Sequence, residues 1–390
     1  MNIRFQVKQL IKQAVQSIVL PVCYGLFRFR KADPDLVVFA DAHHDSRPAA
    51  MELLYQRLKK DGSFKICEHY QDYGSCGAAA VARHSIHFMK LYARAGFVVI
   101  CDNFLPAASC RKRKETKVIQ LWHACGCYKK FGYDASDDIP RHYHGANVYR
   151  NADLVTVSGD ACVKPFASAM RLAESCVQPL GVSRTDLYHS KKWTERCRKQ
   201  FFEKYPEAAG KKIVLWAPTF RGNAGNPENI SVDLTRLQES LGGDYQVLAR
   251  PHPHMLRGMR ESGVNANMSA LEEFICPIPT EELYPVTDVL VADYSSLVYE
   301  YMLFGKPVVL YCPDLASYRS GRGFYMDITE IPGEIVTEAD EKLLAEAVRH
   351  AYVQEPEHAQ FLDCYMGACD GQATKRIVQW IQDHRRGDTH

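Results

Sequence analysis

Along this chain, short runs of apolar residues alternate with stretches whose apolar positions recur every three or four residues. The runs in the first half cover 36–40, 64–67, 97–101, 117–122 and 154–158, and those in the second half cover 213–217, 246–249, 289–292 and 308–311. They are brief, rich in Val and Ile, and apolar at consecutive positions, which predicts strands buried on both faces. The periodic stretches between them, such as 49–60, 85–94 and 297–304, predict helices laid over those faces. Strand and helix in alternation give parallel sheets. A charged helix over 191–205, closed by Pro206 and Gly210, separates the two halves. The expected fold class is α/β, with two Rossmann-like domains in tandem over residues 32–195 and 196–390 and a leading segment, 1–31. In such folds a ligand binds beyond the carboxyl ends of the strands, here in a cleft between the domains.

Composition fits this picture and charge sharpens it. Of 390 residues 46% are hydrophobic and 24% charged, which is globular composition. The formal net charge is only +2, so no broad polyanion-binding surface is expected, and nucleic acid is not an expected partner. Positive charge is instead concentrated in 1–31, which holds Arg4, Lys8, Lys12, Arg28, Arg30 and Lys31 and no Asp or Glu. Ile3, Val7, Leu10, Ile11, Ala14, Ile18 and Val19 recur there at helical spacing. A basic amphipathic helix suits two situations, an anionic membrane surface or docking on its own domain. The apolar run 18–27 is broken by Pro21 and is too short to span a bilayer. The 14 cysteines are scattered through strands and helices without a CxxC pair, and Cys125-Gly126-Cys127 has no second half elsewhere. Reduced thiols in a cytosolic setting, rather than disulfides or a zinc site, are expected.

The residues directly after the strands are where chemistry is expected. His123 follows 117–122; Pro218, Thr219, Phe220 and Arg221 follow 213–217; Arg250, Pro251 and His252 follow 246–249; Asp293, Tyr294, Ser295 and Ser296 follow 289–292. Ser295 and Ser296 open a helix, where a serine either caps the backbone or offers hydroxyls and amides to a phosphate. Arg250 and His252 add cationic donors suited to a diphosphate. A histidine at a strand end serves as general base on an attacking hydroxyl or as a hydrogen-bonded structural residue. His252 with His254 lacks a carboxylate partner for a metal, and His43-His44 between Asp41 and Asp45 matches no defensible ligand spacing. No Walker A loop, GxGxxG after a strand or GxSxG elbow is present.

Taken in order, Trp122-His123-Ala124, Gly181-Val-Ser-Arg184-Thr-Asp186, Ala217-Pro-Thr-Phe-Arg221, Arg250-Pro-His252-Pro, Thr287 through Asp293-Tyr-Ser-Ser296, Lys306-Pro307 and Arg322-Gly-Phe-Tyr325 resemble the CDP-glycerol glycerophosphotransferase family. That family includes the primases and polymerases of wall teichoic acid synthesis. The matching stretch runs from about residue 117 to residue 327. The resemblance implies a GT-B-like fold that transfers glycerol phosphate from CDP-glycerol to a hydroxyl of an undecaprenyl-linked saccharide acceptor and releases CMP. It implies action at the cytoplasmic face of the membrane as a peripheral protein, without a metal or other cofactor. It makes 32–195 the acceptor-side domain and 196–390 the donor-binding domain. His123 corresponds to the base, and His252 assists at the pyrophosphate. Ala124, Cys125, Gly126 and Cys127 line the donor site with His123, and Arg184, Pro218, Thr219, Arg250, Pro251, Ser295, Ser296 and Glu300 bind the donor.

Two departures stand out. The usual Trp-His-Gly-Thr-Pro is here Trp-His-Ala-Cys-Gly, and Glu300 stands where aspartate is usual. They leave the reaction class intact and leave the polyol open between glycerol, ribitol and another CDP-linked polyol. The expected chemistry is in-line displacement at the β-phosphorus, with His123 taking the acceptor proton while Arg250, His252, Ser295 and Ser296 offset charge on departing CMP. The competing classes are a nucleotide-sugar glycosyltransferase of the same two-domain form and a non-catalytic polyol-binding or scaffold protein.

Overall fold

A computed structural model of the chain describes residues 13–135, 138–139, 146–219, 221–223, 226–228, 232–251, 255, 271–321 and 323–385. They form two compact units. The first comprises the described residues up to Gly126, Phe131–Asp186 and those from Met366 onward; the second comprises Cys127–Lys130 and Leu187–Tyr365.

In the first unit, strands β1 (Asp33–Asp41), β2 (Lys65–Tyr70), β3 (Ala95–Ile100), β4 (Lys117–Gln120), β5 (Leu154–Thr156) and β6 (Val177–Gln178) pair in the order β2-β1-β3-β4-β5-β6. Every pairing is parallel. All six residues of β3 are buried, as continuous apolar runs require when helices cover both faces of a sheet. One face packs Val38, Ala40, Val98 and Ile100 with Phe88, Met89 and Tyr92 of the helix Ala78–Tyr92. The other packs Val37, Phe39, Phe97 and Val99 with Met51, Leu54 and Leu58 of the helix Ala49–Asp61.

The second unit holds a five-stranded parallel sheet in the order β10-β7-β11-β12-β13. Its strands are β7 (Lys212–Trp216), β10 (Tyr245–Ala249), β11 (Val289–Ala292), β12 (Val308–Tyr311) and β13 (Glu334–Val336). A separate hairpin pairs β8 (Arg221–Asn223) with β9 (Asn226–Glu228). The helices Leu234–Leu241 and Glu341–His350 bury Leu237, Leu241, Leu344 and Val348 against one face of the sheet.

The expected strands are present, and the differences have local causes. The helix expected to start at Ser85 starts at Ala78, because three alanines favour helix strongly while carrying no apolar period. Strand β6, strand β13 and the polar hairpin lacked an apolar run and were not expected. The units also do not divide between 195 and 196. The chain returns to the first unit through the helix Ala373–Asp383, which buries Ile377, Val378 and Ile381 under the first sheet. Asp186 accepts from the N–H groups of Ala373 at 2.9 Å and Thr374 at 2.8 Å, tying down that helix start. Gly181 explains part of one motif: its φ is +88°, and a Cβ there would lie 2.1 Å from the Ala368 carbonyl oxygen.

Of the leading segment, residues 1–12 lie outside the described part. A π-helical turn, Val15–Val19, continues into the helix Leu20–Phe27. Leu20 and Tyr24 are buried in the first unit's core, and the Tyr24 hydroxyl accepts from the Arg113 N–H at 3.0 Å. The opposite side exposes Ile18, Val22, Leu26 and Phe29 at 62%, 56%, 67% and 77%. Among the described residues no helix is long and apolar enough to cross a membrane.

Candidate active site

His123 owes its position to its neighbour. Strand β4 stops at Gln120, and Trp122 takes a φ of +57°, a left-handed conformation that costs a bulky residue of order 1–3 kcal/mol. Two contacts hold it there. The Trp122 N–H donates to Gln120 Oε1 at 3.0 Å, while Gln120 Nε2 donates to the Asp102 carbonyl at 3.0 Å. The indole is buried among Phe131, Tyr149 and Phe166, with its ring also stacked on His123 at 4.6 Å between centroids. The turn leaves the His123 side chain 49% exposed. The strand predicted to reach Trp122 therefore ends two residues earlier, and nothing in the sequence signals the positive φ.

His123 Nδ1 lies 3.4 Å from the Cys101 carbonyl oxygen and 3.5 Å from Asp102 Oδ2. The same oxygen lies 3.8 Å from His43 Nδ1. Asp41, buried at the end of β1, accepts from the His43 N–H at 2.7 Å and is 2.9 Å from His44 Nδ1. Burial pushes the Cys101 thiol well up, with Asp41 and Asp102 adding to this and the Arg184 guanidinium opposing it. Strand ends in the first unit thus gather three histidines, two carboxylates and an arginine. Asp102 and His43 were not among the predicted site residues. Asp102 directly follows an apolar run and was legible as a strand-end carboxylate.

The remaining residues of the Trp-His stretch take structural positions. Ala124 is partly exposed, but Cys125, Gly126 and Cys127 are buried, so they shape the turn rather than line a solvent-facing surface. Gly126, at φ +67°, donates its N–H to Ser158 Oγ at 2.8 Å.

In the second unit, the residues after β7, β10 and β11 meet. The Thr219 N–H donates to both oxygens of Asp293, at 2.9 and 3.1 Å, and fixes the Pro218–Thr219 turn against the end of β11. Arg250 is half-buried; its Nη1 donates to the Cys276 carbonyl at 2.8 Å and its Nε to Thr280 Oγ1 at 3.4 Å. Pro218 and Pro251 are buried beside them. Ser295 and Ser296 are partly exposed. Ser296, at the N-cap of the helix Leu297–Met302, makes no side-chain capping bond, and Ser295 Oγ accepts only a 3.5 Å contact from the Leu297 N–H. Capping therefore does not occupy these hydroxyls. Glu300 is buried at 5% exposure and accepts from the Tyr188 hydroxyl, so its carboxylate is directed into the unit.

Other motif residues have packing roles. Lys306 Nζ donates to the carbonyls of Tyr284 at 3.2 Å, Pro285 at 3.0 Å and Thr287 at 2.5 Å, and burial brings its pKa down to about 8. Phe324 stacks on Tyr128 at 4.8 Å. Phe220, His252, His254 and Arg322 lie outside the described residues, as does the side chain of Arg221. Among the described residues no group of three or more His, Cys, Asp or Glu side chains is arranged to hold a metal ion.

Comparisons with known proteins place the chain in a family. Residues 22–383 match the profile of the family described as CDP-Glycerol:Poly(glycerophosphate) glycerophosphotransferase. The chain is 31% identical over 358 residues to the teichoic acid ribitol-phosphate primase of Bacillus spizizenii, covering 89% of this chain and 90% of that protein. It is 28% identical over 306 residues to the teichoic acid glycerol-phosphate primase of Bacillus subtilis, covering 73% of each. A variant of the wall teichoic acid polymerase TagF shares the fold at a TM-score of 0.73 and 20% identity, covering 99% of both chains. The match across nearly the whole length identifies the chain as an enzyme of the CDP-glycerol:poly(glycerophosphate) glycerophosphotransferase family, built on a GT-B-like fold and transferring polyol phosphate.

Proposed function

We propose that this enzyme transfers ribitol phosphate or glycerol phosphate from the CDP-linked polyol to a hydroxyl on an undecaprenyl-linked saccharide and releases CMP. The observation that carries the reading is the half-exposed His123 imidazole, set beside a carboxylate by a strained Trp122. A base held at a strand end, with the ring face packed and an edge open, suits deprotonation of an incoming hydroxyl. Arg250, Ser295 and Ser296, together with His252, bind the diphosphate, and the Thr219–Asp293 turn supports them. Arg184 adds positive charge on the His123 side. Glu300, Cys125, Gly126, Cys127, Pro218 and Pro251 act by shaping the loops that carry these groups. The similarity to a ribitol-phosphate primase over nine-tenths of its length favours ribitol as the polyol.

The enzyme works at the cytoplasmic membrane face as a peripheral protein. The exposed row Ile18, Val22, Leu26 and Phe29, with Arg28, Arg30 and Lys31 at its end, supports this reading, because an apolar stripe beside basic residues suits an anionic leaflet.

The test is CMP or UDP release from a panel of CDP-ribitol, CDP-glycerol and UDP-sugars with a lipid-linked acceptor. CDP-ribitol should turn over fastest, and His123→Ala should lower kcat by about two orders of magnitude with little change in donor KM. Turnover of UDP-sugars alone would replace the reading with glycosyl transfer. Wild-type activity in His123→Ala would remove the base.

A further inference from the structure

We propose that Asp102 is the positioning residue for His123: it holds Nδ1–H toward its own carboxylate so that Nε2 is the nitrogen offered to the acceptor hydroxyl. The proposal rests on the role of His123 given above.

The sheet order is the reason one carboxylate reaches two histidines. Strand β3 lies between β1 and β4, with Phe39 opposite Val99 on one side and Gln120 opposite Ile100 on the other. A residue just past β3 is therefore the one flanked by the residues just past β1 and β4. Asp102 is that residue, 3.5 Å from His123 Nδ1 and 3.8 Å from His43 Nδ1 through the same Oδ2. Its backbone is fixed as well, since its carbonyl accepts from Gln120 Nε2 at 3.0 Å.

The chemistry around Nδ1 selects the tautomer. Both polar atoms near it, the Cys101 carbonyl oxygen at 3.4 Å and Asp102 Oδ2, are acceptors. Nδ1 therefore carries the hydrogen, and the lone pair falls on Nε2. Trp122 stacked on the ring holds the plane of the imidazole. In the reaction, Nε2 takes the acceptor proton, the acceptor oxygen bonds to the β-phosphorus, and the bond from that phosphorus to the bridging oxygen breaks. The electron pair leaves with CMP, and Asp102 stabilises the imidazolium so formed.

Other charges face this cluster. Asp41 ends β1 with His43 and His44 just past it, Cys101 is beside Asp102, Arg184 acts on the Cys101 thiol, and Tyr149 is raised by burial with Asp102 contributing. His43 competes with His123 for the same carboxylate oxygen. Removing its imidazole should leave Asp102 Oδ2 to His123 alone and tighten that pair.

The experiment pairs turnover with a measurement on the resting protein. Asp102→Asn, Asp102→Glu and His43→Gln are compared with wild type for kcat, donor KM and the acid limb of the pH profile. Nitrogen-15 NMR reports the His123 tautomer and pKa in the full chain. Asp102→Asn should lower kcat about ten- to a hundredfold, leave donor KM within about threefold, and move the acid limb to lower pH. Asp102→Glu should recover part of the loss. Adding Asp102→Asn to His123→Ala should cost nothing more, since one acts through the other. The Nδ1–H form should dominate in wild type. An Nε2–H tautomer in wild type, or an unmoved His123 pKa in Asp102→Asn, would overturn the proposal whether or not CDP-polyols are turned over. An inactive wild type would count against the proposed reaction alone.

Discussion

The backbone N–H of Thr219 is shared between the two carboxylate oxygens of Asp293, so the loop after β7 is pinned to the loop after β11 by a buried charge. These two strands are neighbours in the sheet, and the pairing of Val291 with Trp216 brings their ends together. Because the acceptor is ionised and shielded from water, the bond is stronger than an ordinary backbone one.

Asp293→Ala should cost about 1.5–3 kcal/mol of local stability and raise the donor KM several-fold, while Asp293→Asn should cost less. Hydrogen exchange of a peptide containing Thr219 is the direct measure. Unchanged protection of that amide in Asp293→Ala would show that the loop is held by other contacts.

Because neither Ser295 nor Ser296 is committed to a strong capping bond, replacing both with alanine should leave the fold nearly unchanged. Donor binding should weaken by about 1–3 kcal/mol, as expected for hydroxyls bonded to a charged ligand. Isothermal titration with the CDP-polyol decides this. On the same reading, EDTA should leave CMP release intact; activity that vanished and returned with magnesium would mean that a cation carries the diphosphate charge.

A separate histidine pair should make stability depend on pH in the acid range. His69 and His84 stack face to face at 3.6 Å, with His87 edge-on to His69 at 5.2 Å and the Tyr73 hydroxyl 2.9 Å from His84 Nδ1. Burial lowers both His69 and His84 from 6.5 to about 4, with nearby histidines adding to the effect. Below pH 6.5 the unfolded chain takes up protons that the folded pair refuses, so stability falls until about pH 4. The loss should be of order 2 kcal/mol across that window after allowance for partial solvent access. Urea midpoints should fall in parallel, and His69→Gln with His84→Gln should flatten the slope; an unaltered slope would assign the effect to other groups.

Membrane association should depend on the outward row of the first helix. Ile18→Ser, Val22→Ser, Leu26→Ser and Phe29→Ser together should sharply reduce co-sedimentation with anionic vesicles. Packing would be preserved, because Leu20 and Tyr24 remain. Salt should weaken the wild-type association, since each basic residue near an anionic surface contributes about 1 kcal/mol. Equal partitioning of wild type and variant would end the membrane role of this face. Deleting the segment is the poorer test, as it would uncover the core beneath Tyr24.

Much of this was legible in the sequence, for a physical reason. Parallel strands buried on both faces are nearly uniform in polarity, so β4, β7 and β11 stood out, and their ends pointed to His123, Thr219, Asp293 and Ser295. What was hidden depends on sheet order rather than on local pattern. His43 and Asp102 became partners only because β1, β3 and β4 are adjacent, which no periodicity encodes. The inward turn of Glu300 was likewise hidden, since a carboxylate in a six-residue helix reads as exposed until Tyr188 is seen to hold it. The last helix, Ala373–Asp383, was not among the expected elements, and the sheet it covers is set by the fold rather than by its own pattern.

That last helix has a consequence for synthesis. Residues 187–365 are translated before the last segment of the first unit, so the ribosome delivers the second unit before the first can close. Until Ile377, Val378 and Ile381 emerge, the face of the sheet around Phe39, Phe97 and Val99 lacks part of its cover. At roughly 5–20 residues per second, that interval lasts on the order of ten seconds or more, long enough for a chaperone to be the surface's first partner.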